Sequence, residues 1–164
     1  VPPGAFLQPS RAGEQALIDC VVAGVGDAAA CVVDLFCGMG TFSYPLAVRG
    51  ADVCGFDVDV ASLQRSGVVF KSRNLYRDPL TARELADYDT IVFDPPRAGA
   101  KAQAPEIAES GVAKIVAVSC NPGTFISDCA PFLAAGYRFT DLWVVDQFIW
   151  SSHIEMVGVF VNKE

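Results

Sequence analysis

Strand-like and helix-like segments alternate along most of this 164-residue chain, which predicts an α/β fold with a mostly parallel sheet. Two further features sharpen that expectation. Lys114-Ile115-Val116-Ala117-Val118 is apolar, β-branched and bounded by turn residues, as a buried strand should be. The last two strand-like runs follow one another with no helix between them, so they are expected to pair as an antiparallel hairpin. Seven strands are predicted in all.

The elements follow in order. A first helix is expected over residues 12–25, with Ser10 as its N-cap. A strand over 31–36 runs into Cys37-Gly38-Met39-Gly40, and a helix over 41–48 is stopped by Arg49-Gly50. A second strand over 52–57 leads to a short helix over 60–66 and a brief third strand over 68–71. Only ten residues lie between Asp57 and Val68, tight for a crossover that usually takes about a dozen. The fourth strand, 90–94, is stopped by Pro95-Pro96. A helix over 101–109, a strand over 114–119 and a helix over 124–134 capped by Gly136 follow. The hairpin strands are 139–146 and 154–161.

A chain of this length suits one domain with one core. Apolar residues make up 52% and the mean hydropathy is +0.35, which excludes a disordered segment. No apolar run approaches the ~18 residues of a membrane span, so no membrane association is expected. The opening Val1-Pro2-Pro3-Gly4 has neither a basic start nor an apolar signal core, and reads as the interior of a longer polypeptide. Six cysteines include no C-x-x-C pair, and there is one histidine. Neither a disulfide framework nor a metal site is expected, and the pattern suits reduced thiols in the cytoplasm. A net charge of −7 and pI near 4.6 argue against this domain gripping nucleic acid by bulk charge.

The candidate chemistry sits at strand ends, where open α/β sheets bind ligands. Glycines at the strand-to-helix turn Asp34-Leu35-Phe36-Cys37-Gly38-Met39-Gly40 let a ligand approach the backbone closely. Alone, that spacing would also fit a nicotinamide or flavin protein. About twenty residues on, Asp57 ends the second strand, where an acidic side chain accepts hydrogen bonds from a ribose diol. Val92-Phe93-Asp94-Pro95-Pro96-Arg97 adds a carboxylate and two rigid prolines at the fourth strand end. That stop suits a wall between a cofactor and a planar substrate. Ser119-Cys120-Asn121-Pro122 then presents a thiol where a nucleophile would sit, with the proline turning the chain out of the strand.

These motifs, with Phe6-Leu7-Gln8 before them and His153-Ile154-Glu155 after them, resemble the catalytic domain of RNA 5-methyluridine methyltransferases. The resemblance runs from Phe6 to the C-terminus. It implies a class I S-adenosylmethionine-dependent methyltransferase fold, Rossmann-like, with residues 1–164 as the catalytic domain. It also implies S-adenosyl-L-methionine as cofactor and structured RNA, tRNA or rRNA, as substrate. Most RNA contact would fall to an N-terminal region outside this chain, and no DNA partner is expected. By the same resemblance Gln8, Phe36, Thr41, Asp57, Asn74 and Asp94 contact the cofactor, Cys120 is the nucleophile and Glu155 the general base. Thr41 stands where asparagine is common in the family, Asp57 where glutamate is, and Ser10 where an asparagine usually follows Gln8.

Chemical logic leads to the same pair. Carbon 5 of uracil is a poor nucleophile until a thiolate adds to carbon 6, and a base must afterwards remove the carbon 5 proton. A free thiol with pKa ~8.5 is mostly protonated at neutral pH, so a nearby cation is expected to favour its ionisation, with Arg97 the candidate. Glu155 is a carboxylate in an otherwise apolar strand. His153, on the same strand face, is equally well a structural imidazole. Trp143, Phe148 and Trp150 could stack on a base, though ordinary packing suits each. Two rival readings remain: a catalytically silent S-adenosylmethionine-binding module, and an amino-group methyltransferase acting on adenine or guanine. The second leaves Cys120 and Glu155 without a purpose.

Overall fold

A computed structural model describes residues 11–60, 63, 67–146 and 154–163. Among the described residues twelve elements follow one another, with helices and strands mostly alternating as expected. They are α1 (Arg11–Val25), β1 (Cys31–Leu35), α2 (Ser43–Val48), β2 (Asp52–Asp57), β3 (Val68–Ser72), α3 (Ala82–Leu85), β4 (Thr90–Phe93), α4 (Gln103–Glu109), β5 (Lys114–Ser119), α5 (Pro122–Ala134), β6 (Arg138–Asp146) and β7 (Ile154–Val161).

The seven strands form one sheet in the order β3-β2-β1-β4-β5-β7-β6. Strands β1 to β5 run parallel, and β7 inserts antiparallel between β5 and β6. The chain winds outward from β1 in one direction and from β4 in the other. That reversal opens a crevice at the carboxyl ends of β1 and β4.

Period-2 alternation sends neighbouring side chains to opposite faces. Val32, Val92, Val116, Val118, Val157 and Val159 meet Leu17, Val21 and Val25 of α1 and Leu46 of α2. Val33, Leu35, Ile91, Phe93, Ile115, Ala117 and Phe160 meet Ile107 of α4 and Phe132 of α5. By the same parity Asp34, Asp94 and Glu155 belong to the α1 face, so three carboxyls share one side of the sheet near its carboxyl edge.

Two stretches depart from expectation or lie beyond it. Helix α3 was not predicted. Its cap is a reciprocal box in which Thr81 Oγ1 accepts from Glu84 N (3.3 Å) and Glu84 Oε2 accepts from Thr81 N (2.8 Å). Arg73 locks that turn to the end of β3 through Glu84 Oε1 (2.6 Å) and the Pro79 carbonyl (3.0 Å). The helix expected over 60–66 falls mostly on residues outside the described set. Val60 and Leu63, which are described, are buried beside Cys37, and β2 and β3 are parallel neighbours in register Val53↔Val68.

Candidate active site

The loop after β1 is built around unusual backbone. Phe36 takes φ +61°, a left-handed conformation seldom used by bulky residues, and Gly40 takes φ +80°. A Cβ at Gly40 would lie 2.7 Å from the Tyr44 ring, so only glycine fits the turn closed by Gly40 N donating to the Cys37 carbonyl (2.8 Å). Asp57, at the end of β2, accepts from Gly38 N (2.9 Å) and from Val58 N (2.6 Å). Its carboxylate therefore already ties the glycine loop to β2. The N–H groups of Gly38 and Gly40 are thus used within the protein.

Beneath the loop, Asp34 is fully buried. Ser43 Oγ donates to its Oδ2 at 2.5 Å, while Oδ1 has no hydrogen-bond partner among the described residues. Burial, with Asp57 adding repulsion, pushes the Asp34 carboxyl up to about 7.

Asp94 follows β4 and donates its N–H to the Leu35 carbonyl (3.2 Å). Burial, then repulsion from Glu155 and Asp34, pushes its carboxyl up to about 8. The loop beyond it is stapled to α5 at two points. Asn121 Nδ2 donates to the Arg97 carbonyl (3.4 Å), and Asp128 Oδ2, on a buried side chain, accepts from Ala100 N (2.8 Å). Asn121 is extended (φ −135°, ψ 112°) and caps α5 by accepting from Gly123 N, with Pro122 opening the helix. The turn that carries Cys120 and the loop that carries Asp94 and Arg97 are therefore one connected unit.

Ser119 pairs with Met156 in the β5–β7 ladder, so Cys120 and Glu155 occupy the next facing positions. Facing residues of an antiparallel pair project to the same side. Cys120 is half-buried. Its thiol is pushed above its ordinary pKa by burial first, then by Glu155 and Asp94, against the lowering effects of its own backbone N–H and of Arg97. Arg97 thus acts in the expected direction but is outweighed, which corrects the expectation of a thiol already biased toward ionisation. Glu155 is only 4% exposed, and burial pushes it up to about 7.

The family model for tRNA (uracil-5-)-methyltransferase matches residues 58–164, the part of the chain that carries Asp94, Cys120 and Glu155. The chain belongs to this family. A family member from Rhizobium meliloti (strain 1021), described as an uncharacterized RNA methyltransferase, is 46% identical over 96% of this chain and 40% of its own length. The 23S rRNA (uracil(1939)-C(5))-methyltransferase of Shewanella frigidimarina (strain NCIMB 400) is 33% identical over 96% and 37%. The tRNA (uracil-54, C5)-methyltransferase of Pyrococcus abyssi, solved with S-adenosyl-L-homocysteine, superimposes with a TM-score of 0.84. It shares 27% identity over 98% of this chain and 41% of that one. The chain spans about two fifths of the length of these relatives. Its fold is that of the class I S-adenosylmethionine-dependent methyltransferases.

Within this family member, the carboxyl edge of the sheet brings together Phe36, Thr41 and Asp57 at one end and Asp94, Cys120 and Glu155 toward the other. Asn74 folds the chain after β3, its Oδ1 accepting from Tyr76 N (3.1 Å) and Arg77 N (3.3 Å). Gln8, Ser10, Phe148, Trp150 and His153 lie outside the described residues. Trp143 is half-buried against the α1-side core, an ordinary packing role. Sequence reasoning passed over Asp34 as a site residue, although a carboxylate in the apolar run Cys31–Leu35 is the same signal that singled out Glu155. It also passed over Tyr76 and Asp128, which carry no local signature.

Proposed function

We propose that this chain is the catalytic domain of an enzyme that methylates carbon 5 of a uridine in structured RNA, tRNA or rRNA. One observation carries the reading: Cys120 and Glu155 lie directly beyond the last β5–β7 pair, Ser119–Met156, and the charges of Glu155 and Asp94 both act on the Cys120 thiol. The names of the rRNA and tRNA uracil methyltransferases among its relatives agree with it.

The residues present fit S-adenosyl-L-methionine. Asp34, Asp57, Asp94 and Glu155 crowd one edge of the sheet with Arg97 opposing them, a charge balance that favours a cationic sulfonium. Phe36, Thr41, Asp57, Asn74 and Asp94, together with Gln8, would hold the cofactor, which supplies an electrophilic methyl group when bound. Cys120 Sγ adds to carbon 6 of the uracil, which renders carbon 5 nucleophilic. Once carbon 5 carries the methyl group, Glu155 takes the proton from it and the Cys120 sulfur departs from carbon 6. The double bond is thereby restored. A carboxyl near pKa 7 is suited to this step, because general bases work best with a pKa near the operating pH. The thiol must lose its proton to solvent before it adds, and a cation seated beside it lowers the thiol pKa.

The target uracil has to leave its stack to reach this pair, at a cost of a few kcal/mol. Phosphate contacts that hold the RNA would come largely from regions outside these 164 residues, since this domain is net acidic. Among the described residues no helix is long and apolar enough to cross a membrane. None of their His, Cys, Asp and Glu side chains gather into a set that could hold a metal ion.

The test is covalent trapping. With S-adenosylmethionine and RNA carrying 5-fluorouridine at the target, the reaction should stall as a protein–RNA adduct that resists denaturant, because the fluorine cannot leave as a cation. Cys120→Ala should abolish the adduct. Cofactor binding with no adduct from the wild-type chain supports the silent binding module instead.

A further inference from the structure

Tyr76 keeps 43% of its surface exposed, yet its position is closely held. Its N–H and that of Arg77 both donate to Asn74 Oδ1, which fixes the turn after β3. Leu75 beside it is buried in the α4–α5 side of the core. The tyrosine ring meets Phe36 with centroids 5.4 Å apart and planes at 57°.

Phe36 is the one non-glycine residue with positive φ among the described residues. Such strain persists where the surroundings over-determine it, commonly at ligand sites. The Tyr76 phenol also lies in the fields of both Asp128 and Asp57, which add to burial in holding its pKa up. Asp57 ends β2, and Asp128 sits under the Gly99–Ala100 backbone. The tyrosine therefore lies within reach of both anchors, against the ring of Phe36, which follows β1.

We propose that Tyr76, with Phe36, forms an aromatic wall that takes the adenine ring of the cofactor, making Tyr76 a further binding residue of this enzyme. The inference rests on the S-adenosylmethionine reading given above. Placement argues for adenine rather than a base of the RNA. Strand β1, which the aromatic pair adjoins, lies three strand spacings from β7, about 14 Å at ~4.8 Å each. A purine seated at the pair would place the sulfonium part-way along that distance, between the aromatic pair and the uracil. The uracil, held between Cys120 and Glu155, lies at the far end. Asp57 stands next to the pair, where the ribose joined to that purine would fall.

The experiment titrates wild type, Tyr76→Phe, Tyr76→Leu and Tyr76→Ala with S-adenosylhomocysteine and with 5′-methylthioadenosine, which keeps the adenosine but lacks the amino-acid end. Alanine and leucine should weaken both ligands roughly tenfold, the scale of a lost ring-stacking contact, whereas phenylalanine should bind as wild type does. The Tm of the free variants should fall by no more than the few degrees that loss of the Phe36 contact accounts for, and a larger fall would mark the ring as structural. Wild-type affinity in the alanine variant overturns the proposal. So does loss of RNA binding with cofactor affinity intact, which would assign the ring to the RNA. If wild type itself binds neither ligand, the S-adenosylmethionine reading fails with it, and the two failures are thereby distinguished.

Discussion

Cys120 and Glu155 face one another one step beyond the Ser119–Met156 pair of the β5–β7 ladder, and the Glu155 carboxyl raises the pKa of the Cys120 thiol. Two groups thirty-five positions apart in the chain are thereby set on one side of the sheet. A pyrimidine between them would meet sulfur at carbon 6 and a proton acceptor at carbon 5. Glu155→Gln keeps the shape and removes the acceptor. Turnover should fall by about 10²-fold or more, while a covalent protein–RNA species accumulates from ordinary uridine RNA and S-adenosylmethionine. Denaturing electrophoresis reads the adduct. Wild-type turnover in this variant would rule out Glu155 as the base.

The pH dependence follows from the same pair. As the proposed base, Glu155 would have to be ionised, and burial pushes its pKa up to about 7. Cys120 is displaced upward as well. Single-turnover methylation should therefore rise with pH between about 6 and 8. Arg97 is the side chain that lowers the thiol pKa, so Arg97→Met should move the rising limb to higher pH and Arg97→Lys should restore part of it. An unchanged profile in Arg97→Met would remove Arg97 from the chemistry.

Folding stability should show the reverse trend. Asp34, Asp94 and Glu155 are pushed up to about 7, 8 and 7, against ~4 for a carboxyl in the unfolded chain. Between pH ~4 and ~8 the native state binds more protons than the unfolded state. Stability is therefore greatest at the acid end of that window and declines as pH rises through the folded pKa values. For the two groups with buried side chains, Asp34 and Glu155, a loss of about 1 kcal/mol or more corresponds to ~2–4 °C in Tm. Asp34→Asn, which still accepts from Ser43, should flatten the dependence. Calorimetric scans at pH 5 and pH 8 read it directly, and a Tm that climbs across the window contradicts it.

Gly99 tests the staple between the Asp94 loop and α5. It sits at φ +82°, and a Cβ there would lie 2.8 Å from Asp128 Oδ2 and 3.1 Å from Thr124 Cβ. Gly99→Ala adds a steric collision to the backbone strain, so it should cost about 2 kcal/mol or more in urea unfolding. Gly111, at φ +70° with nothing within 4 Å, carries the strain alone. Gly111→Ala should cost about 1 kcal/mol. Equal costs at the two positions would mean that the Asp128 contact does not hold the loop.

Some parts of the architecture were legible because their signals are local. Glycine at Gly50 and Gly136, proline at Pro95 and Pro122, and the apolar run ending at Ser119 each act on their own backbone, and the elements begin or end there. Helix α3 escaped because four residues are too few to show a periodicity, although the Thr81 to Glu84 box was present to be read. Tyr76 escaped because Phe36, Asp57 and Asp128, which act on it, come from the loop after β1, from β2 and from α5, and nothing beside it in the chain announces them.

From residue order came the alternation of strands and helices and the placing of chemistry at strand ends, and with the family resemblance the candidate thiol and carboxyl. These depend on backbone preference and side-chain type, which each short segment carries with it. Tertiary structure decided the facing of Cys120 and Glu155, the tie of the Asp57 carboxylate to the glycine loop, and the upward displacement of the Asp34, Asp94 and Glu155 carboxyls and the Cys120 thiol. Those properties arise from loss of water and from charges brought near by folding, and both are sums over residues distant in the chain.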